Sequence, residues 1–377
     1  MSLYDFMLFD NISTDDKIKE LNEYVGVEAK VELPPYYWDA YGKTNSDADR
    51  DAIQQRGIAV GDYDLTNYNH AYEGMSGYNA YPVVFGIGKT YGGMPSTDDF
   101  TYTVSPTTVN VTKFNITHGF IYSYLKHNGE LETQNSDYPS YKIKVTGLEK
   151  GFGLHYSYLK NPSDANLSAF GIGTDGTYTI PKSFASDGSL INNNVWIGFI
   201  FTGTAPESCN VTIEVLPEYE NGLAYDGVTD YSENANIPAL TDFTYVFKRK
   251  LLDNVAGCAS MTKGLTDQQR AVVIDYINTT GGINGTSFGN MAFVPSLRDS
   301  DIIYSTTTNI NGTTITKGNN PDSNGIDIGK FVTYYKKMVF YKLILYPKTI
   351  PLLQINFLKN LMERDEIIDL NNPIFIQ

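Results

Sequence analysis

The pattern of apolar and polar positions near the end of the chain predicts a buried strand followed by a helix. Residues 338–346 place apolar side chains on both alternating faces, with Phe340, Ile344 and Tyr346 on one of them and Lys342 out of place. A strand that is apolar on both faces lies centrally in a covered sheet. Thr349 can cap the helix that follows. The apolar stripe of that helix consists of Ile355, Leu358 and Met362.

The first residues repeat this unit. A strand-like run at 3–9 precedes a helix-like run with an apolar stripe at helical spacing, and the same distance along the chain separates Ile18 from Ile355 and Leu21 from Leu358. The alternative is a chance pair of amphipathic segments. An apolar strand would expose an adhesive edge, so we expect it to add to a sheet of its own C-terminal domain, of its neighbour or of another subunit. The candidate inter-subunit strand is marked by Leu3, Phe6 and Leu8.

Residues 26–80 predict a connector. Pro34 and Pro35 exclude helix at its start, and a tract rich in tyrosine, asparagine and glycine follows. Disorder is the alternative, but disordered segments are poor in aromatic residues. We therefore expect short strands that pack through their aromatic side chains, after a strand–helix docking segment at residues 1–25.

Residues 81–216 predict a β-sandwich, since about seven short alternating segments are separated by glycine-rich turns. The predicted strands are 100–104, 108–112, 141–146, 154–159, 177–180, 195–201 and 209–215.

Residues 217–377 predict a second β domain. Residues 268–277 could form a helical turn, but Val272, Val273, Ile274 and Ile277 favour a strand. The other predicted strands are 223–225, 243–251, 258–261, 302–304 and 313–316, with the closing strand last. The predicted fold class is therefore all-β, with two tandem sandwiches after the docking segment and the connector.

Composition and charge limit the classes of function that fit this chain. The 377 residues include 29 tyrosines and 33 glycines with only 19% charged residues, which suits strands and turns of an extracellular type. The net charge of −15 opposes nucleic-acid binding, and the basic clusters at 248–250 and 336–337 are expected to be solvated strand ends. The closing strand is too short to cross a membrane, and Asp5 interrupts the first apolar run, so no secretory signal is expected.

No catalytic, metal or cofactor signature stands out. The four histidines share no metal spacing, and no nucleophile motif is present, although abundant acidic residues leave a glycosidase pair open. Asp226 and Asp230 could hold Ca²⁺, but two carboxylates are few, and a turn fixed by their hydrogen bonds is the favoured alternative. Cys209 and Cys258 are expected to be separate buried thiols, with one disulfide as the alternative.

Aromatic residues of the connector are candidates for glycan or partner contact, because ring faces receive the apolar patches of sugars. Packing of the connector onto the first sandwich is the competing interpretation. Trp196, in a fully apolar segment, is expected to be core. The candidate contact residues are Tyr36, Tyr37, Trp38 and Tyr41.

Three segments of the second domain resemble the laminin-G-like (concanavalin-A-like) jelly-roll family. They are Leu223-Ala-Tyr-Asp-Gly-Val-Thr-Asp-Tyr231, Ile237-Pro-Ala-Leu-Thr-Asp-Phe-Thr-Tyr-Val-Phe247, and the closing strand with its helix. The resemblance implies a lectin-like jelly roll at the C-terminus.

The longer arrangement resembles fibre proteins of bacteriophages that infect gut Bacteroidota, including crAss-like phages. Residues 42–50, 64–78 and 209–216 carry this resemblance. It implies a structural virion protein without enzymatic activity, made in the bacterial cytoplasm, with other virion proteins and a host glycan as partners. It also implies a homo-oligomer, with a trimer favoured over a dimer. The alternatives are a bacterial surface glycan-binding protein and a capsule depolymerase.

Overall fold

The structure is a computed structural model that describes residues 31–72, 74–85, 100–114, 119–121, 123–124, 126–127, 130–131, 136–148, 152–191, 197–203, 209–266, 269–372 and 375–376. The predicted docking strand with Leu3, Phe6 and Leu8, and the predicted core residue Trp196, lie outside the described residues.

The described residues are almost entirely strands and the loops between them. Residues 31–70 contain β1 (Val31–Glu32), β2 (Tyr36–Asp39), helix α1 (Asp47–Arg50), β3 (Ala52–Ile53) and β4 (Leu65–Tyr68). Residues 71–220 contain β5 (Gly77–Tyr78), β6 (Val84–Phe85), β7 (Phe100–Val104), β8 (Thr108–Phe114), β9 (Gly119–Ile121), β10 (Ser123–Tyr124), β11 (Lys126–His127), β12 (Glu130–Leu131), β13 (Tyr141–Thr146), β14 (Phe152–Tyr158), β15 (Ser168–Ile172), β16 (Gly176–Ile180), β17 (Gly198–Gly203) and β18 (Val211–Val215).

The remaining elements follow in residues 221–376. They are β19 (Leu223–Asp226), β20 (Tyr231–Asn234), β21 (Thr244–Leu251), β22 (Met261–Lys263), β23 (Val272–Ile277), β24 (Ile283–Ser287), β25 (Asn290–Phe293), a 3-10 helix (Pro295–Leu297), β26 (Ile302–Thr306), β27 (Asn309–Ile310), β28 (Thr313–Thr314), β29 (Ile326–Ile328), β30 (Lys330–Phe331), β31 (Tyr334–Tyr335), β32 (Lys337–Tyr346), helix α2 (Leu352–Glu363) and β33 (Phe375–Ile376). None of the helices in the described ranges combines the length and the hydropathy that a bilayer crossing requires.

The chain folds as two units whose boundaries differ from the predicted ones. The described residues of 71–220 form one unit, and those of 31–70 belong with those of 221–376 to the other. The predicted connector is therefore not a separate segment over 31–70, because β2 and β4 pair with β32 and β20 of the C-terminal sandwich and β3 pairs with β4. Its apolar residues, among them Tyr37 and Leu65, are buried there. The strand signals in this tract were recognisable, but their partners lie more than 150 residues away in sequence.

The unit of residues 71–220 is the predicted first sandwich. One antiparallel sheet has the order β16-β13-β18-β8-β7, and the other has the order β15-β14-β17-β9. β13 shows how the sequence sets the faces, since Ile143 and Val145 are buried while Lys142 and Lys144 are exposed. Strand β15 (Ser168–Ile172) was not predicted, because its short polar and glycine-containing sequence resembles a turn.

The second unit is also a sandwich, made of a helix-side sheet and an eight-stranded sheet. The helix-side sheet has the order β28-β27-β26-β21-β32-β19, and β2 also pairs with β32. The eight-stranded sheet has the order β25-β24-β23-β22-β29-β20-β4-β3. The all-β sandwich prediction is confirmed, including the strand over Val272–Ile277. The predicted strand at 258–261 instead begins at Met261.

β32 is the central strand that the sequence predicted. It pairs with β21, β19 and β2, and α2 covers one face of it through Ile344 and Tyr346. A bulge in β32 makes Arg249 pair with Phe340 directly after Lys248 pairs with Lys342. Phe340 and Ile344 therefore lie on opposite faces, although the sequence predicted that they share one. The ring of Phe340 instead lies 5.9 Å from that of Phe247.

Lys342 is buried in the middle of β32, where groups beyond the C-terminal end of α2 compensate its charge. Its ammonium donates to the carbonyl oxygens of Arg364 at 2.8 Å and of Glu366, which follow α2, and it lies 3.7 Å from Asp39. Carbonyl groups beyond a helix C-terminus attract cations. The helix begins at Leu352 after Pro351, and Thr349 does not cap it, because the Thr349 amide and hydroxyl donate to Asp242.

A buried ion pair joins the two sheets of this sandwich. Arg249 of β21 donates from Nε and Nη2 to both carboxylate oxygens of Asp275 in β23, at 2.9 and 2.8 Å. Arg249 also donates to the carbonyl oxygens of Leu297 and Ser300. Both charged side chains are essentially inaccessible to solvent, so the Asp275 carboxylate depends on Arg249 for its counterion.

Candidate functional site

The aromatic residues that were predicted to contact a glycan lie mostly in the core. Tyr36, Tyr37 and Trp38 are buried because β2 lies directly beside β32, where these three residues pair with Leu345, Ile344 and Leu343. This corrects the prediction of an exposed contact surface. The packing alternative holds, although the packing is onto the second sandwich. Tyr41 is partly buried, with the Lys342 ammonium 6.0 Å from the centre of its ring.

The acidic turn at Asp226 and Asp230 is occupied by hydrogen bonds from the backbone. One oxygen of Asp226 accepts the amides of Val228, Thr229 and Asp230 at 2.7, 3.0 and 3.1 Å, and Asp230 accepts the Asp226 amide at 3.0 Å. These are the hydrogen bonds of the turn alternative. Within the described ranges, no three histidine, cysteine, aspartate or glutamate side chains converge as a metal site would need.

The cysteines are both buried and free, as predicted for separate thiols. Burial raises the pKa of the Cys258 thiol, with the nearby Lys336 ammonium opposing that rise and the Asp253 carboxylate adding to it. A raised pKa keeps a thiol protonated and unreactive. Cys258 is therefore a packing residue.

The best candidate site lies on the outer face of the eight-stranded sheet. In β20, Ser232 points to the inside, where its hydroxyl lies 2.8 Å from that of Tyr225, so Tyr231 and Glu233 point outward. Asp327 is the register partner of Glu233, with buried Ile326 and Ile328 on either side of it. We call this surface the tyrosine–carboxylate face. Its members are Tyr68, Tyr231, Glu233, Asp327, Lys330 and Tyr335.

The β30–β31 hairpin brings Lys330 and Tyr335 to this face. It leaves β29 at Gly329, which has φ +76°, and a Cβ at this position would lie 2.7 Å from the Tyr225 ring. Only glycine satisfies both the backbone conformation and the close approach. The hairpin is held against the sheet, because the Thr262 hydroxyl donates to the Lys330 carbonyl at 3.3 Å.

The tyrosines of this face form a row of ring contacts. The centroids of Tyr68 and Tyr231 are 4.7 Å apart with their planes inclined by 13°, and Tyr335 lies 6.0 Å from Tyr231. The Lys330 ammonium lies 3.8 Å from the centre of the Tyr231 ring, which is a cation–π contact. Tyr68 is 38% exposed. The row therefore presents aromatic surface to solvent next to charged groups.

Two carboxyl groups lie beside this row. Asp327 is only 6% exposed, and its carboxyl has a pKa of about 7. Burial and the neighbouring Glu233 raise this pKa, and Lys330 and Arg270 oppose the rise. Glu233 lies 3.7 Å from the Lys330 ammonium. One oxygen of Asp327 accepts no hydrogen bond from the part of the chain that the structure describes. A buried carboxyl with a shifted pKa and an open acceptor in an aromatic surface marks a candidate binding site.

The Asp327 carboxyl predicts a specific pH dependence of stability. Its folded pKa of about 7 exceeds its ordinary value of 3.8, so the folded state binds more protons between these pH values. Stability from this group is complete below about pH 4 and is lost as the pH rises through about 7. At about pH 8 we expect the unfolding free energy of Asp327→Asn to exceed that of the native protein by about 4 kcal/mol, and at about pH 4 we expect the two to match.

Thermal unfolding followed by circular dichroism across this pH range measures the difference. The exposed Asp47, with its side chain 92% accessible, supplies the control, since Asp47→Asn removes a carboxylate without removing a buried one. A stability difference for Asp327→Asn that stayed constant from about pH 4 to about pH 8 would contradict the raised pKa.

Reasoning from the sequence missed this face. Tyr231 ends one of the segments that resemble the laminin-G-like family, but its ring partner Tyr68 and its neighbour Asp327 lie 163 and 96 residues away. The alternation in Tyr231-Ser-Glu-Asn234 and Ile326-Asp-Ile328 was the available signal. Both strands are short, and neither pairing partner is recognisable without the register.

Comparison with known proteins adds little. No family model matches the chain, and no curated protein matches it. Among solved structures, the Trypanosoma rangeli sialidase in complex with the inhibitor DANA is similar over 70% of this chain and 62% of that chain, at 9% identity and a TM-score of 0.22. This chain thus spans less than two thirds of that protein, and the similarity is too weak to assign a fold or an activity.

Proposed function

We propose that this chain is a structural protein of a bacteriophage virion, a head or tail fibre or decoration protein, which displays a lectin-like sandwich for binding a host glycan. The tyrosine–carboxylate face carries the glycan part of the proposal. Sugar rings stack on aromatic faces, and carboxyl groups at the edge of the stack accept hydrogen bonds from sugar hydroxyls. Tyr68 supplies the exposed ring, and Tyr231 supports it by stacking, since Lys330 lies over the Tyr231 ring as well. Glu233 and Asp327 supply the acceptors.

The virion setting is supported by composition and by the resemblance to phage fibres. The chain is acidic, with a net charge of −15, and rich in tyrosine and glycine, and its described residues are nearly all β. In the virion, copies of this chain associate with one another, and a trimer is favoured over a dimer. The lectin-like sandwich contacts either a host glycan or another virion protein. Cryo-EM density or peptide mass spectrometry of a purified phage particle tests this assignment directly. Finding the chain on the bacterial surface instead would support a cellular glycan-binding protein.

The geometry of the carboxyl pair favours binding over hydrolysis. Retaining glycosidases hold their two carboxyl groups about 5 Å apart, and inverting enzymes hold them farther apart, so that the sugar or a water fits between them. Glu233 and Asp327 are instead register partners that stand side by side on adjacent strands of one sheet face, and they do not face each other across a cleft. We therefore propose a binding site without catalysis.

A capsule depolymerase is the second candidate. The raised pKa of Asp327 favours it, since a general acid needs to be protonated near neutral pH. An assay for new reducing ends after incubation with purified host polysaccharide distinguishes the depolymerase from the binding protein. Release of reducing ends that Asp327→Asn abolishes would replace the binding proposal with an enzymatic one.

The tyrosine row gives the direct test of glycan binding. We expect Tyr231→Ala to weaken binding of the full-length chain to immobilised host surface polysaccharide about tenfold, because the central ring of the row is lost. Tyr231→Phe keeps the ring and should retain near-native affinity. Surface plasmon resonance with a set of purified capsular and cell-wall polysaccharides measures both.

Tyr178→Ala is the matched control. Tyr178 is a partly exposed tyrosine on β16 of the other sandwich, and its hydroxyl donates to the Thr174 carbonyl at 2.6 Å. The Tyr178→Ala variant should bind the glycan with native affinity. Equal affinities of Tyr231→Ala and the native protein would remove the tyrosine–carboxylate face from the proposal.

A further inference from the structure

Further aromatic residues lie on the same side of the sheet beyond the tyrosine–carboxylate face, where the β30–β31 hairpin lies over the buried Thr262. A continuous row of register partners leads from Glu233 through Asp327, Thr262, Val273 and Thr286 to Met291. Register partners in adjacent strands point to the same face. Met291 therefore lies on the face that Glu233 and Asp327 occupy, at the far edge of the sheet.

A second row of partners brings two more rings to this face. Tyr276 pairs with Asn284, and Asn284 pairs with Phe293 on β25. The Phe331 ring, which comes from the β30–β31 hairpin, lies 5.4 Å from the Tyr276 ring, and the Arg270 guanidinium lies 5.0 Å from the Phe331 ring. Phe331 and Tyr276 thus lie between the tyrosine row and Phe293.

We call the surface from Tyr68 to Phe293 the strip. At its far end, two apolar side chains of an edge strand are exposed. Met291 is 54% exposed and Phe293 is 60% exposed on β25, which is the last strand of the sheet. Edge strands with exposed apolar side chains favour aggregation, and proteins ordinarily place charged residues there. A ligand that covers Phe293 and Met291 gives these side chains a function.

The end of the strip also contains an open cavity. Its volume is about 460 Å³, and its lining includes Asn278, Gly282, Phe293 and Arg298. The Asn278 side chain is engaged by the amides of Thr280 and Gly282, and Arg298 donates to the Gly281 carbonyl. The cavity wall is therefore held in place before any ligand binds.

The length of the strip indicates a polymer. From β4, which carries Tyr68, to β25, which carries Phe293, the order β4-β20-β29-β22-β23-β24-β25 contains six steps between neighbouring strands. At about 4.8 Å a step, the strip is about 29 Å long, which is the length of several sugar rings. A monosaccharide that contacts Tyr231 cannot reach Phe293.

The charges along the strip indicate a neutral polymer. The carboxyl groups of Glu233 and Asp327 are balanced by Lys330 and Arg270, which lie close enough to affect the Asp327 carboxyl. An anionic polymer would be repelled by these carboxyl groups and by the protein's net charge of −15. A neutral chain of hydroxyl-bearing rings matches both the length of the strip and the balanced charge.

Resting on the proposed glycan function, we infer that the ligand is a neutral polysaccharide bound across the strands from Tyr68 to Phe293, with Phe293 and its cavity as a terminal subsite. The affinity for the polysaccharide then depends on the number of its sugar units. Short oligosaccharides contact only one part of the strip, and longer ones reach both ends.

The test uses the full chain and neutral oligosaccharides from disaccharide to decasaccharide, prepared from dextran, laminarin and mannan. Isothermal titration calorimetry should show affinity rising with length for the native protein. Phe293→Ala should weaken binding of the decasaccharide about tenfold and leave disaccharide binding unchanged. Tyr231→Ala should weaken binding at every length.

Leu353→Ala is the matched control, because Leu353 is 54% exposed at the start of α2, on the helix side of the sandwich. It should change neither affinity nor melting temperature. Phe293→Ala should also melt like the native protein, since its side chain is exposed.

Two results would overturn the inference while leaving the proposed function in place. One is native-like decasaccharide binding by Phe293→Ala together with weakened binding by Tyr231→Ala. The other is tighter binding of an anionic polymer, such as alginate, than of any neutral one. Native-like binding by Tyr231→Ala, or no binding of any glycan, would overturn both.

Discussion

Replacing Arg249 with alanine should lower the free energy of unfolding by about 3–5 kcal/mol, because it leaves the Asp275 carboxylate buried without a counterion. Asp275 is fully buried, and both its oxygens are bonded to the guanidinium at 2.8 and 2.9 Å. The substitution also removes the donors to the Leu297 and Ser300 carbonyls. Chemical denaturation followed by tryptophan fluorescence measures the loss.

Two companion variants separate the effect of the buried charge from other causes. Arg50→Ala breaks an exposed pair, in which the Arg50 and Asp47 side chains are 41% and 92% accessible, and should cost less than about 1 kcal/mol. The double variant Arg249→Met with Asp275→Asn removes both charges, and it should be more stable than Arg249→Ala. A loss of less than about 1 kcal/mol for Arg249→Ala would show that the pair does not hold the sheets together.

This ion pair shows which part of the fold was accessible from the sequence. The apolar pattern predicted β21 and β23 as strands, since Val246, Phe247 and Ile274 are the residues that strands bury. It did not predict the bulge at Asp275 in β23, which turns this carboxylate toward Arg249, a residue that regular alternation places on the same face of β21 as Phe247. A bulge shifts the alternation by one residue, and only the paired strand reveals it. In the sequence, Lys248-Arg249-Lys250 was read as a solvated strand end, which is wrong for Arg249.

The candidate site was inaccessible for a related reason. Each member of the tyrosine–carboxylate face lies on a short strand whose own sequence signal is weak, and the face is assembled from β4, β20, β29 and the β30–β31 hairpin. β4 comes from residues that the sequence placed in a connector. A signal from local alternation gives the faces of a strand, but it does not give its neighbours. The closing strand was predicted well because its apolar character on both faces is independent of its partners.

Trp38 is one of four residues for which the sequence offered two roles, ligand contact or packing, and its replacement by alanine distinguishes them. Its side chain is fully buried, its indole N–H donates to the Tyr63 carbonyl at 2.8 Å, and its backbone pairs with Leu343 of β32. We expect Trp38→Ala to lower the free energy of unfolding by about 3–5 kcal/mol, since a large cavity remains where the indole was. Denaturant titration at a fixed temperature measures this loss.

Val60→Ala provides the comparison, because Val60 is 97% exposed in the same unit and should change stability by less than about 0.5 kcal/mol. Glycan binding gives the second readout. If Trp38 is core, the folded fraction of Trp38→Ala binds glycan with native affinity, because the tyrosine–carboxylate face lies on the other sheet of the sandwich. Native stability combined with lost glycan affinity would restore the contact role that the buried position of Trp38 argues against.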